Sequence, residues 1–364
     1  MWKKLAAMSI GTIGGVVLVI AVWRVWDVVH PPPHQLDAAE RRQLRQKLDE
    51  NPTAIVMFDE ATSYRYKPNF HGYRSRPTHL GSRNRIDFPH LTNSLGLVGP
   101  EEVSADQRPK VLLLGDSVTY GMWVDAKDTF AVRMQKQAGT SCQLLIGACE
   151  GWSTKQELAF FDTYLRGTDW SAVVLVFCLN DLVDFEWTFD AGAGAIKLTE
   201  EILAVGTGGT KTNQTVGGLK LALLRRQLSA DPKTAPLAQQ VNTALWAWDE
   251  SRWTHYLQQT LAPFVERAGR PPLAIVMAPT EGQLQAFARG ADPAQVMYPQ
   301  LRLQAFCANE ALTCIDLAEA FAGSTAEELG SDYLDDLHFS EAGHAVVARF
   351  LWPRIKALID RPHT

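Results

Sequence analysis

Residues 110–121 read KVLLLGDSVTYG: a short apolar run, then Gly115, Asp116 and Ser117, then a second glycine at Gly121. The run predicts a buried strand, and the glycine that ends it predicts a sharp turn. Working outward, residues 128–138 carry helical spacing, with Asp128 as a candidate N-cap. Gln143–Ile146 is a second apolar run, and residues 154–166 read as a helix. Ala172–Phe177 (AVVLVF) is uninterrupted, as expected of a strand covered on both faces. Leu273–Met277 and Thr313–Asp316 are further strands. Helical patterns precede these two at 243–268 and 295–308, and a last helix fits 341–359. Strands alternating with helices predict an α/β fold, a three-layer α/β/α sandwich around a parallel sheet of about five strands. Right-handed crossovers put the strand C-termini on one edge, where such sheets bind ligands. Asp116 and Ser117 follow the first strand there, and Asn180 and Asp181 follow the third.

A serine at such a turn is exposed at the ligand edge, and its N–H, near a helix N-terminus, can face an anion. A hydroxyl needs a base before it attacks an acyl carbon. The far end of the chain offers one in Asp335-Asp336-Leu337-His338. Asp335 and His338, three apart before a helix, are placed to touch, the carboxylate fixing the imidazole tautomer.

These residues resemble the SGNH/GDSL hydrolase family, whose blocks occur in this order. Gly115-Asp116-Ser117 matches the first block, Gly151 the glycine of the second, Asn180-Asp181 the third, and Asp335 to His338 the last. The resemblance covers roughly residues 92–352 and implies a flavodoxin-like sheet. It implies Ser117 as nucleophile, His338 as base and Asp335 as orienting acid. It also implies an oxyanion hole made of the Ser117 and Gly151 N–H groups and the Asn180 side chain. Asp116 and Asp181 are expected to support the site through turns and hydrogen bonds.

Two positions depart from the family pattern: Cys178 stands for the third-block glycine, and Ile146 for an asparagine common five before Gly151. Neither replaces a proton-transfer or oxyanion group, so they bear on pocket shape. Trp123 and Trp152 are candidates to line the pocket or simply to pack. Trp246, Trp248 and Trp253 read as core. His344, six after His338, reads as a packing histidine rather than half of a metal pair. No cysteine or histidine spacing suits zinc, and Gly192-Ala193-Gly194 lacks a strand–helix context for a dinucleotide. No cofactor and no metal is expected. Ser117 also lacks the GxSxG elbow of α/β-hydrolases.

The expected activity is hydrolysis of an acyl ester, O-acetyl or another small acyl group, on a carbohydrate or lipid. Acyl transfer to a sugar, or non-catalytic carbohydrate binding on the same fold, are the alternatives. A net charge of −5 offers no basic surface for nucleic acid. Arg74, Arg76, Arg83 and Arg85 read as a solvated loop.

Lys3 and Lys4 precede an apolar run, Leu5–Trp23, whose 19 residues carry no charge. At helical rise it spans a bilayer core of about 30 Å. Val22-Trp23-Arg24 is a poor cleavage site, so a retained single-pass anchor is expected over a signal peptide. Lys3 and Lys4 favour a cytoplasmic N-terminus and an extracytoplasmic, periplasmic body; Arg24, Arg41, Arg42, Arg45 and Lys47 weaken that bias. The chain thus divides into an anchor at 1–27, a linker with exposed helix and irregular lead-in at 28–91, and a hydrolase domain at 92–360. An insertion at about 185–240, Gly- and Thr-rich at 206–218, is either a lid or a surface loop. Among five cysteines, Cys307 and Cys314 form either a disulfide or two buried apolar groups, and Cys149 and Cys178 read as thiols near the site.

Overall fold

The computed structural model describes residues 38–50, 54–77, 85–182, 187–190, 195–198, 232–233, 250–268 and 272–360. Its core is a five-stranded parallel sheet. The strands are β1 (Lys110–Gly115), β2 (Gln143–Ala148), β3 (Ala172–Phe177), β4 (Leu273–Met277) and β5 (Thr313–Asp316), in spatial order β5-β4-β3-β1-β2. Every residue of β2, β3 and β4 is buried, and β1 is buried from Val111 onward. These runs are apolar without alternation because helices cover both faces. Each fully buried Val or Leu contributes about 1.5–3 kcal/mol of burial.

Helix α1 (Phe130–Ala138) links β1 to β2, and α2 (Thr154–Phe160), extended by a π turn at Phe161–Leu165, links β2 to β3. The chain moves one way from β1 to β2 and back the other way to β3. With right-handed crossovers, that reversal puts α1 and α2 on opposite faces. The segment Glu250–Ala268, helical with a π segment at Leu257–Leu261, packs on α2, with Phe161 edge-on to Phe264 at 5.5 Å. The C-terminal helix (Glu341–Ile359) packs on α1, where His344 stacks on Phe130 at 5.6 Å. Trp253 is fully buried, in line with its reading as core, whereas Trp246 and Trp248 lie outside the described residues.

Three expectations are corrected. Asp128 does not cap α1; it closes a 3-10 turn (Ala126–Asp128) and pairs with Arg133, while the Thr129 side chain accepts from Val132 N as N-cap. The lead-in before residue 92 is not irregular. It holds two antiparallel hairpins, Val56–Asp59 with Ser63–Tyr66 and His71–Pro77 with Arg85–Leu91. Their short strands carry Arg, His and Pro, so their alternation is masked in the sequence. The helix Ala38–Asp49 is only partly exposed, because Leu44 and Leu48 are buried in the core.

Cys307 and Cys314 form a disulfide, which resolves that alternative; Cys142, Cys149 and Cys178 are buried thiols. Within the insertion, Trp187–Asp190 pairs with Ala195–Leu198; most of it, the sequence 206–218 included, lies outside the described residues. So does the apolar run 5–23. Among the described residues no helix is long and apolar enough to cross a membrane.

Candidate active site

The order β2-β1-β3 places a switch point between β1 and β3, where the chain departs in opposite directions and a crevice opens beyond the strand ends. Gly115 pairs with Ala148, and Leu114 with Leu175, so the loops after β1, β2 and β3 leave the sheet side by side. They carry Ser117, Gly151 and Asn180.

Ser117 starts a single helical turn (Ser117–Tyr120) capped by Asp116, whose Oδ1 accepts from Val118 N at 2.8 Å. The turn needs Gly115, since a Cβ there would lie 1.8 Å from Thr119 Oγ1. Gly151 has φ +69°, a left-handed conformation that favours glycine. Asn180 follows β3 in a 3-10 turn (Leu179–Leu182), and its Nδ2 donates to Asp116 Oδ2 at 2.7 Å. Asp116 therefore ties the serine loop to the asparagine loop. Cys178 Sγ also donates to Asp116 Oδ2, at 3.3 Å. Asp181 Oδ2 accepts from Cys178 N at 2.9 Å, which fixes the same turn.

The last block arrives on a loop closed by the bridge Tyr333↔Phe339 and by Leu334 N donating to His338 O at 2.8 Å. His338 Nε2 lies 2.8 Å from Ser117 Oγ, across 221 residues of chain. His338 Nδ1 lies 2.8 and 2.9 Å from the Asp335 oxygens. With the proton on Nδ1, that nitrogen donates to Asp335 and Nε2 accepts from the serine hydroxyl. Asp335 Oδ1 also accepts from the N–H groups of Leu337 (2.9 Å) and His338 (2.8 Å). The Asp336 carbonyl accepts from Glu281 N at 3.1 Å.

Burial pulls the His338 pKa down, but the Asp335 hydrogen bond and charge, with Asp116 and Glu150 behind them, carry it above the ordinary 6.5. Burial pushes Asp335 up, yet His338 and the two backbone donors hold it below 3.8. The pair is an imidazole made more basic by a carboxylate that stays ionised.

His344 is a packing group, as expected. It is buried, its Nδ1 accepts from Phe130 N at 3.1 Å, and burial drives its pKa down to about 3. Trp152 packs as well: it is buried and its Nε1 donates to Tyr64 O at 2.9 Å. Trp123 has φ +71° and is half-buried. Ile146 is buried in β2 and its carbonyl accepts from Val98 N at 2.8 Å.

Two groups escaped the sequence reading. Glu157 on α2 is fully buried, and neither carboxylate oxygen has a hydrogen-bond partner. Burial first, then the charges of Asp181 and Asp116, raise its pKa well above 4.5. Arg74, read as solvated, is instead only 10% exposed and paired with Glu150. No local signal marked either residue, because the groups that surround them lie far away in sequence. Asp116, Cys178 and Asp181 bring ligand-type atoms within 4.8 Å of one another, the single such set among the described residues. Hydrogen bonds within the protein already engage all three.

Residues 113–346 match the GDSL-like Lipase/Acylhydrolase family. The chain belongs to this family. It is an ester-hydrolysing enzyme by that membership, and Ser117, Gly151, Asn180, Asp335 and His338 all fall in the matched span. No curated protein matches the chain. Among solved structures it is similar to a lipase/acylhydrolase from Enterococcus faecalis, at 14% identity and TM-score 0.40, covering 68% of this chain and 96% of that one. It is similar to a carbohydrate acetylesterase family member from Sinorhizobium meliloti, at 14% identity and TM-score 0.37, covering 70% and 100%. A two-domain esterase active on acetylated mannans shares 13% identity at TM-score 0.40, covering 71% of this chain and 51% of that one. Likenesses this distant say nothing of substrate.

Proposed function

We propose that the protein is a serine esterase that cleaves an acyl ester of a carbohydrate or lipid, a small acyl group such as O-acetyl, through an acyl-enzyme on Ser117. The observation that carries this reading is the 2.8 Å contact between Ser117 Oγ and His338 Nε2, with Asp335 on the far side of the ring. His338 takes the serine proton as Oγ bonds to the acyl carbon. The carbonyl oxygen gains negative charge, and the N–H groups of Ser117 and Gly151 and an N–H of Asn180 receive it. An amide nitrogen carries two donors, so the bond to Asp116 leaves Asn180 a second one for this task. His338 then protonates the departing alcohol, and water, deprotonated by the same imidazole, releases the acid.

Ser117→Ala should lower turnover of a short-chain acyl ester by about 10³-fold or more. In the native protein, rapid quench and peptide mass analysis should find the acyl group on Ser117. Equal turnover by the two proteins would remove the serine from the mechanism.

The apolar run Leu5–Trp23 supports a second part of the reading: a single-pass membrane anchor with the catalytic body on the extracytoplasmic side. Substrates there would be acylated surface glycans or lipids.

A further inference from the structure

Arg74 enters the site from outside the sheet. It sits on the hairpin His71–Pro77/Arg85–Leu91, opposite Phe88 in register. Its guanidinium forms an ion pair with Glu150, itself 15% exposed. It also donates to the Tyr120 hydroxyl and lies over the rings of Tyr120 (5.0 Å) and Tyr66 (5.4 Å). Both polar partners belong to the loops that carry the chemistry. Tyr120 ends the turn that begins at Ser117, and Glu150 directly precedes Gly151. The Glu150 carbonyl is held as well, accepting from the Tyr64 hydroxyl at 2.9 Å.

Among the described residues, Arg74 is the cation paired with Glu150. Burial, with the Arg74 charge added, keeps His90 neutral well below its ordinary pKa. Burial likewise keeps the Tyr64, Tyr66 and Tyr120 hydroxyls and the Cys149 thiol protonated. A carboxylate this deep, stripped of its counter-charge, acts strongly on any titrating group nearby.

We propose that Arg74 is a positioning residue of the Ser117 site, pinning the Glu150–Gly151 loop and countering the Glu150 charge next to Gly151. This rests on the reading of His338 as the base. The acids that act most on His338 are Asp335, in contact, then Asp116 and Glu150. His344, on the C-terminal helix, is neutral and feels His338 in turn. Glu281 feels the charges of Asp336 and Asp335. Of the acids that act most on His338, Glu150 is the one that pairs with an arginine from the hairpin His71–Pro77/Arg85–Leu91.

The test is an NMR titration of His338 in the full chain with isotope-labelled histidine, its signal assigned by loss in His338→Asn. Arg74→Gln uncovers the Glu150 charge and should raise the His338 midpoint by about half a pH unit or more. Glu150→Gln leaves Arg74 unopposed and should lower it by a similar amount. The double variant should return close to the starting midpoint, and Arg74→Lys should keep it. Residues that merely hold the fold would lower activity without moving the midpoint in opposite directions. Folded Arg74→Gln and Glu150→Gln proteins with unmoved midpoints, or midpoints moved the same way, overturn the proposal. If Arg74→Gln does not fold, Glu150→Gln decides it: a lowered midpoint supports, an unmoved one overturns. The titration needs no turnover, so a silent esterase assay would count against the proposed function while leaving this result readable.

Discussion

His338 has to be neutral at Nε2 to take the serine proton. Burial alone would make it a weak base, but Asp335 outweighs burial and lifts the pKa above 6.5. The consequence for rate has a definite sign. As pH falls through that raised value the imidazole protonates, and kcat/KM should drop in proportion to the neutral fraction. The acidic limb should therefore have its midpoint above 6.5, measured with an ester whose own hydrolysis is flat in that range. A midpoint at or below the ordinary imidazole value would show that Asp335 does not hold the ring in solution. The dyad was legible in the sequence because Asp335 and His338 are three apart and touch within one turn of loop. The 2.8 Å approach of His338 to Ser117, by contrast, spans 221 residues of chain and follows from the sheet.

At the scale of elements, α2 brings the second block and the sheet together and does so at a cost. Its N-terminus is held by a capping box between Ser153 and Gln156, and one residue further along it buries Glu157 against the third block. Between 4.5 and its raised pKa the folded chain binds a proton there that the unfolded chain has lost. Stability contributed by this group is thus greatest below 4.5 and falls as pH rises through the folded pKa. Asp181, raised by burial and by the Asp116 charge, acts in the same direction. Glu157→Gln keeps the shape and removes the titration. Urea unfolding at pH about 8 should find it more stable than the native protein by about 1–3 kcal/mol, the gap closing toward pH 4.5. A variant less stable at high pH would mean that the carboxylate is ionised and has a cationic partner. Helix positions and strand runs were readable from periodicity. Glu157 was not, since a glutamate on a helix reads as exposed unless the packing is known.

For the molecule as a whole, the hairpins of the lead-in belong to the same body as the sheet, through Tyr64, Tyr66 and Arg74. The described residues before 92 are more than a tether. If the run anchors the chain with its body outside, protease added to intact cells, with the outer barrier opened, should digest the body and leave a short N-terminal piece. Protection of the body until the inner membrane is lysed would reverse the orientation. The C-terminal helix closes the other end of the body, with His344 bound to the first N–H of α1.

What the sequence determined by itself is the alternation of apolar runs and helices, and four short blocks at the strand ends. A strand buried on both faces must be apolar throughout, and turns that expose a serine or place a left-handed glycine must carry those residues. That was enough to predict the parallel sheet and to single out Ser117, Asp335 and His338; the resemblance to the SGNH/GDSL family added Gly151 and Asn180. The tertiary structure alone decided which charges are buried and what neutralises them: Arg74 on Glu150, Asp116 between Val118 N and Asn180, Glu157 without a hydrogen bond. Local patterns report which face of an element is apolar, whereas the energy of a charge depends on its solvent exposure and on groups the fold brings from distant sequence.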